Sequence, residues 1–453
     1  MRYIPLTEEE RRQMLRDIGV DSFDDLLRDV PASRRLKTLL DLPEAVSEPD
    51  LVRFMKRLAA SNSPHDTAPC FIGAGAYRHF VPAVVRAMAA RSEFVTAYTP
   101  YQPEISQGSL QAMFEFQTMM TQLTGMPVSN ASLYDGGMAV AEAALLANRA
   151  TRAPIVFVSH ALNPAYRTVL ETYTRNQDMA IRTLPLTPSG RTDLTPLDTV
   201  DMKSVAGVIL QSPNMLGVIE DLDAAGSTLK PAKSLFIVVV SEALSMAALK
   251  APGDCGADVV CGEAQSLGLP VSYGGAYLGF FTVTETHLRR MPGRVVGRTV
   301  DRNGKCGFVN TLSTREQHIR REKATSNICT NQALCAVTSA MYMTTMGRQG
   351  LRDAARMNMK KTAYLRSRLA GIAGLTFPFD GPVFNEFAVA LPGPLESLQK
   401  TLAREGIIGG YDLRCSYPEL GESMLVCATE TNTREEIDRF ADRMADWVRE
   451  VRS

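Results

Sequence analysis

The distribution of hydrophobic and polar positions divides this chain of 453 residues into three parts. Residues 1–67 are polar, with short amphipathic stretches behind helix-capping pairs. The capping pairs are Thr7 with Glu10, Ser22 with Asp25, and Ser47 with Asp50. This pattern predicts a helical arm, without a sheet, that packs on the body of the protein or on another subunit.

Residues 68–330 alternate short apolar runs with helix-like segments. The predicted strands are Ile155–Ser159, Val205–Gln211, Leu235–Ser241, Asp258–Cys261 and Ala276–Val283. The predicted helices include Val81–Ala90, Leu110–Leu123, Met138–Asn148 and Ala165–Thr174. Such alternation is typical of an α/β domain with a mostly parallel sheet. In that architecture ligands bind at the carboxyl ends of the strands.

Residues 331–453 show a third pattern, which predicts a small α+β domain. Two long helices are expected first, over Ala333–Met346 and Leu351–Leu369. The later elements are strands over Pro382–Ala390 and Met424–Ala428, and helices over Leu395–Glu405 and Arg434–Val451.

Charge and composition exclude several classes of function. Lysine plus arginine and aspartate plus glutamate both number 49, so the formal net charge is zero. A nucleic-acid-binding surface needs a basic surplus, which this chain lacks. No apolar run reaches the length of a membrane span, and the first residues resemble no targeting signal, so we expect a cytoplasmic protein. Five histidines without metal-site spacing, and eight cysteines without a CxxC pair, argue against a metal site.

The segment Phe71–Pro82 (FIGAGAYRHFVP) has two interpretations. Gly73 and Gly75 free the backbone before a predicted helix, with Arg78 and His79 at its mouth, which would suit an anion. The alternative is a packed turn with two exposed polar residues, and composition alone favours this alternative.

The segment Thr96–Gln111 (TAYTPYQPEISQGSLQ) predicts a stiff polar and aromatic loop, because it contains two prolines. Its hydrogen-bonding side chains are Tyr98, Tyr101, Gln102, Glu104, Ser106 and Gln107. A binding site and a surface loop that only caps the next helix are equally good explanations of this composition.

Three further segments are candidates for chemistry. Gly136 and Gly137 open an Ala-rich helix, a position at which several cofactor folds hold a phosphate, although Asp135 would oppose an anion unless it caps the helix. Glu242 and Gln265 each follow a predicted strand. In Thr311–Leu334, the alternation of basic and acidic residues is usually explained by a solvated helix face, whereas the polar run that follows suggests the lining of a cleft or an interface.

These segments together resemble the glycine decarboxylase family, the P-proteins of the glycine cleavage system. The motifs that carry the likeness are FIGAGAYRHFVP, YTPYQPEISQG, GADVVCGEAQSLGLP with SYGGAYLG, and REQHIRREKATSNICTNQ. The likeness spans essentially the whole chain and is to subunit 1 of the split, two-subunit bacterial form. It implies a fold-type-I, aspartate-aminotransferase-like fold with a seven-stranded sheet. The implied reaction is decarboxylation of glycine on pyridoxal phosphate, with transfer of the aminomethyl group to the lipoyl arm of H-protein.

The same resemblance implies that this chain lacks the cofactor anchor. Set against the family's lysine motif, GEAQSLGLPVSYGGAYLG places Gln265 where the lysine belongs, and a glutamine cannot form a Schiff base. Glu242 stands near the position of the usual aspartate that pairs with the cofactor ring. Gly136 and Gly137 would then be at most a vestige of a phosphate site.

The resemblance implies a site shared between two subunits. Three hypotheses describe what this chain does. In the first, the chain is an obligate subunit of a heterotetramer, and its Tyr98–Gln107 loop, with Arg78 and His79, faces the cofactor and glycine held by subunit 2. In the second, the chain is a scaffold without a catalytic contribution. In the third, and weakest, it is a self-sufficient enzyme that uses Lys250, Lys305 or Lys323.

Overall fold

The computed structural model of the chain describes residues 6–36, 38, 40–62, 68–96, 98–230, 233–326, 328 and 331–453. It divides into two compact units, of residues 1–63 and 64–453. The predicted domain boundary at residue 67 and the end of the second predicted domain at residue 330 lie outside the described residues. The further division at residue 330 stays a prediction.

The first unit is helical in its described part, as predicted. Helix α1 spans Glu8–Ile18 and α2 spans Glu48–Ala60, with a 3-10 turn over Phe23–Leu27 between them. Thr7 and Glu10 form a reciprocal capping box at the start of α1, which satisfies amide groups that the helix leaves without partners.

The second unit is built on a seven-stranded sheet. Its strands are β1 (Val128–Ser129), β2 (Ile155–Ser159), β3 (Ala180–Leu184), β4 (Val205–Gln211), β5 (Leu235–Val240), β6 (Val259–Glu263) and β7 (Gly279–Val283). Their order in the sheet is β1-β7-β6-β5-β4-β2-β3. The run from β6 to β3 is parallel, whereas β7 is antiparallel to both β6 and β1. The mostly parallel sheet agrees with the prediction.

Helices cover both faces of this sheet. They are α3 (Ala83–Ala89), α5 (Gln107–Thr124) and α8 (Leu222–Leu229) on one face, and α6 (Gly136–Thr151) and α7 (Pro164–Thr174) on the other. Two further short helices are α4 (Ser92–Val95) and α9 (Gln317–Arg320). Successive strand residues point to opposite faces, so Val238 joins one core cluster while Ile237 and Val239 join the other, with α6. A hairpin of β8 (Val295–Val300) and β9 (Cys306–Thr311) lies beside α5.

The C-terminal part of the second unit carries a small antiparallel sheet. Helix α10 spans Ala333–Ala370 and is interrupted at Gly347, whose φ of 61° is not helical, in agreement with the two helices predicted there. The other elements are β10 (Glu386–Ala390), α11 (Leu395–Arg404), β11 (Tyr411–Asp412), β12 (Ser423–Cys427) and α12 (Arg434–Arg452). None of the described helices is long and apolar enough to cross a lipid bilayer.

Candidate active site

The carboxyl ends of β5 and β6 lie side by side, because the two strands are parallel neighbours. Glu242 follows the end of β5, and Gln265 follows β6, which ends at Glu263. Helix α6 begins at the same edge, since its first amide, on Gly136, donates to Glu263 Oε2 over 3.0 Å. The fold therefore brings the predicted positions 136, 242 and 265 to one edge of the sheet.

Gln265 is completely engaged by the backbone of this chain. Its Oε1 accepts from the amide of Tyr77 over 2.8 Å, and its Nε2 donates to the carbonyls of Tyr77 (2.9 Å) and Leu269 (2.8 Å). Only 1% of the residue is exposed. The Gln265 side chain, which the family motif predicts to stand in place of the lysine, therefore links this edge of the sheet to the segment around Tyr77.

That segment, Phe71–Pro82, passes through the site. The buried Tyr77 donates its hydroxyl proton to Glu386 Oε1 over 2.8 Å, and the amide of Ala74 donates to Glu386 Oε2 over 2.9 Å. Gly73 is required by this close packing, because a Cβ atom there would lie 2.5 Å from Glu386 Oε2. Burial, with the nearby negative charge of Glu242, raises the pKa of Glu386 to about 7.

His79 lies between two carboxylates. Its Nε2 is 3.0 Å from Glu242 Oε2 and its Nδ1 is 2.9 Å from Glu430 Oε2. The histidine side chain is only 2% exposed. Burial alone would lower the pKa of His79, but the two carboxylates outweigh burial and raise that pKa to about 10. The expectation from composition that His79 is an exposed residue of a turn is therefore wrong, since a buried ion pair holds the ring.

The start of α6 faces two acidic side chains. Asp135 caps the helix, accepting from the amide of Met138 over 2.8 Å. Glu263 accepts from the amides of Gly136, Gln265 (3.0 Å) and Leu278 (2.8 Å). Burial raises the pKa of Glu263 to about 7, against the lowering effect of those backbone hydrogen bonds. The suggestion that Gly136 and Gly137 retain an anion site is thus not supported, because carboxylates of this chain already take the helix N-terminus.

The Tyr98–Gln107 loop is exposed and lies against the β8–β9 hairpin. Tyr98 is 80% exposed, whereas the hydroxyl of Tyr101 accepts from Arg294 over 2.7 Å. Gln107 exchanges hydrogen bonds with the backbone of Phe308 and also donates to the carbonyl of Pro103. Gln102 and Glu104 are exposed, and Ser106 is half-buried. Among the described residues, no hydrogen bond joins the polar side chains of this loop to Gln265 or Glu242.

The remaining predicted segments have local roles. Arg78 is half-buried and donates to the carbonyl of Ala68 and to Thr431 Oγ1. In the segment that follows β9, Arg315 is buried and donates to the carbonyls of Met291 and Gly293. Of the polar run before α10, Asn327, Cys329 and Thr330 lie outside the described residues. No group of three or more His, Cys, Asp or Glu residues in the described ranges is arranged to hold a metal ion.

The sequence of this chain is similar to that of proteins of one family over nearly its whole length. The family model for the glycine cleavage system P-protein matches residues 1–444. The chain belongs to the glycine cleavage system P-protein family. Its relatives include the probable glycine dehydrogenase (decarboxylating) subunit 1 of Geobacillus thermodenitrificans, 47% identical over 98% of this chain and 99% of that protein. The protein of the same name from Desulfotalea psychrophila is 48% identical over 97% of each chain.

Solved structures agree with the P-protein assignment. A crystal structure of glycine decarboxylase (P-protein) of the glycine cleavage system, in inhibitor-bound form, superposes with a TM-score of 0.90 at 42% identity, covering 98% of this chain and all of that one. A sphingosine-1-phosphate lyase from Burkholderia pseudomallei K96243 shares the fold alone, with a TM-score of 0.66 at 14% identity over 93% of this chain and 94% of that one. The predicted family, fold-type-I architecture and glycine-cleavage function are thereby confirmed, and pyridoxal phosphate is relevant to this P-protein family.

The residues of this P-protein chain do not fit pyridoxal phosphate. Gln265 has no amine for a Schiff base and is held by backbone groups. Glu242 already binds His79, Asn385 Nδ2 (3.0 Å) and the amide of Leu244 (3.0 Å). Glu263 faces the helix end at which a phosphate would need free amides. The three positions predicted to recognise the cofactor are therefore each occupied by groups of this chain.

Four residues of the site were not singled out from the sequence: Tyr77, Glu263, Glu386 and Glu430. Glu263 had a usable signal, because a charged residue that ends a buried apolar strand at the carboxyl edge is unusual. Glu386 and Glu430 had none, since they meet the Phe71–Pro82 segment from more than 300 positions away.

Proposed function

We propose that this chain is the lysine-less subunit of a two-subunit glycine decarboxylase. The partner subunit carries pyridoxal phosphate on its own lysine, glycine is the substrate, and the lipoyl arm of H-protein accepts the aminomethyl group. The observation that carries the proposal is the state of position 265, where a buried glutamine bonded to backbone replaces an amine. The name subunit 1, borne by the relatives, supports a partner subunit.

The contribution of this chain to the shared site is the Tyr98–Gln107 loop. Its side chains are held on the β8–β9 hairpin through Gln107 and Tyr101, so the backbone is fixed while Tyr98 and Glu104 face outwards. A rigid element that presents hydrogen-bonding groups is suited to orienting a substrate held by another chain. Arg78 and His79 are engaged elsewhere in this chain, Arg78 by Ala68 and Thr431 and His79 by Glu242 and Glu430, so we assign them no direct contact with the ligand.

The first test is reconstitution. The chain alone, with pyridoxal phosphate added, is expected to show no Schiff-base absorbance and no exchange of carbon between glycine and labelled bicarbonate. Addition of subunit 2 and H-protein is expected to produce exchange. Exchange by the purified chain alone would overturn the proposal.

The second test asks whether this chain contributes side chains to the shared site or serves only as a scaffold for its partner. In the complex, Tyr98→Phe and Glu104→Gln each remove one polar function from the exposed loop, so exchange is expected to fall on the order of tenfold to a hundredfold. Tyr173→Phe is the matched control, because Tyr173 is also exposed but lies on α7, outside the loop. Complexes of full activity with both loop variants would favour the scaffold.

The self-sufficient alternative has little support in the geometry. Lys250 is about half exposed and forms an ion pair with Asp223 over 2.5 Å. Lys305 and Lys323 are exposed as well. A Schiff-base lysine works in a cavity that shields it from water, and none of these three amines lies in one.

A further inference from the structure

Glu242 stands near the position at which the family motif predicts the acidic partner of the cofactor ring. It follows β5 at the carboxyl edge of the sheet, next to the strand that leads to Gln265. In enzymes that bind pyridoxal phosphate, an acidic residue pairs with the ring nitrogen of the cofactor, which carries a proton. Such a carboxylate is adapted to a flat, cationic, N–H-donating heterocycle.

His79 supplies that chemistry from within the chain. Glu242 Oε2 lies 3.0 Å from His79 Nε2, and the other ring nitrogen faces Glu430. A neutral imidazole would point a lone pair at one of the two carboxylates, which is repulsive, so both nitrogens carry protons. The ring on Glu242 is therefore an aromatic cation with an N–H directed at the carboxylate.

The surroundings fix this ring on every side. Glu430 Oε1 accepts from the amide of Phe80 over 2.6 Å, so one carboxylate holds both the ring and the backbone next to it. Lys361 donates to the carbonyl of Glu430 over 2.7 Å. The centroid of the Tyr77 ring is 6.3 Å from that of His79, and Tyr77 in turn binds Glu386. The buried Tyr342 also lies within electrostatic range of Glu242 and Glu430.

We propose that the imidazolium of His79 is an internal substitute for the cofactor ring, and that it keeps the cofactor cavity of this chain closed. In this proposal the positive charge of His79 compensates the charge of Glu242, and its imidazole ring occupies the space that the cofactor ring would need. Its second N–H donates to Glu430, in the C-terminal part of the second unit. His79 is a positioning residue in this role, because it fixes the Phe71–Pro82 segment and does not touch the substrate. The inference concerns the isolated chain and does not depend on the proposed function.

Chemical rescue tests this inference. His79→Ala leaves a ring-sized cavity between two carboxylates, and Tm of the purified chain is expected to fall on the order of 3–6 °C. Added imidazole is expected to recover most of that loss, because it restores both the volume and the charge. Thiophene, a ring of similar size without N–H groups, is expected to recover little. Neither compound should change Tm of the wild-type chain.

Equal rescue by imidazole and thiophene, or no rescue by either, would overturn the inference. If His79→Ala does not accumulate as folded protein, His79→Gln is compared with the double variant His79→Gln/Glu242→Gln. The double variant removes one of the two uncompensated carboxylates, so its Tm is expected to exceed that of His79→Gln. A double variant with the same or a lower Tm would contradict the charge-compensating role.

Discussion

Restoring a lysine at position 265 should not restore cofactor binding. In Gln265→Lys, the new ammonium group retains donors for the carbonyls of Tyr77 and Leu269, but it cannot accept from the amide of Tyr77. The variant also places a charge at a position that is only 1% exposed. Burial lowers the pKa of such an amine and disfavours its charged form.

The cost of this substitution follows from those contacts. One buried amide without a partner costs about 1–3 kcal/mol. The larger side chain in a packed site costs roughly 1–3 kcal/mol more. We therefore expect the free energy of unfolding to fall by about 2–6 kcal/mol. A loss of this size leaves folded protein in a chain of ordinary stability.

The assay is cofactor trapping on the isolated chain. Gln265→Lys is incubated with pyridoxal phosphate, reduced with borohydride and digested, and the peptide that contains residue 265 is examined by mass spectrometry. We expect no adduct at that position, because Tyr77, His79 and Glu263 remain in the way. Gln265→Met is the control for the lost hydrogen bonds without a charge. An adduct at position 265 in the single variant would refute the conclusion that the cavity is filled.

Three further predictions concern the packing and ionisation of the site and the packing of the C-terminal part of the second unit. Because the pKa of Glu386 rises from 4.5 to about 7 on folding, the folded state binds the extra proton, and stability falls as pH rises from about 4.5 to about 7. Glu386→Gln should remove up to about 3 kcal/mol of that dependence, as measured by denaturant unfolding across this range; an unchanged slope would contradict the assignment. Gly73→Ala should destabilise the chain by roughly 1–3 kcal/mol in thermal unfolding, since its Cβ would meet Glu386 and Tyr77. Trp447→Ala should lower the free energy of unfolding by about 3–5 kcal/mol, because Trp447 is buried and its indole N–H donates to Ser397 Oγ over 2.9 Å. An unaltered Tm would contradict this prediction.

The central strands and the long helices of the second unit could be predicted from the hydrophobic pattern alone. The runs Ile155–Ser159 and Val205–Gln211 form strands with those bounds, because both are apolar strands of a parallel sheet covered on two faces. The same reasoning missed β3, which is the last strand at one edge of the sheet, with Arg182 and Thr183 exposed. It also missed the β8–β9 hairpin, whose strands mix apolar and polar residues without strict alternation and are only partly buried.

The candidate site could be predicted only in part. The position of Gln265 came from the family motif, and the strand pattern placed it at the ligand edge of the sheet. Its partners could not be predicted, because Tyr77 lies 188 positions away and no local pattern indicates which segment will fill a cavity. The burial of His79 was missed for the same reason, since both of its carboxylate partners come from other parts of the fold.

Loss of the lysine and filling of the cavity are linked by the physical chemistry of Glu242. A buried carboxylate without a positive partner is costly, and an empty cavity adds its own cost. A subunit without a cofactor ring therefore gains stability when His79 supplies the charge and Tyr77 supplies the volume. Once these groups pack, one substitution at residue 265 cannot reverse the change, because charge, volume and the start of α6 are each satisfied separately. Under the proposed function, the need for a partner that holds the cofactor then follows from the packing of the whole site, and not from one missing amine.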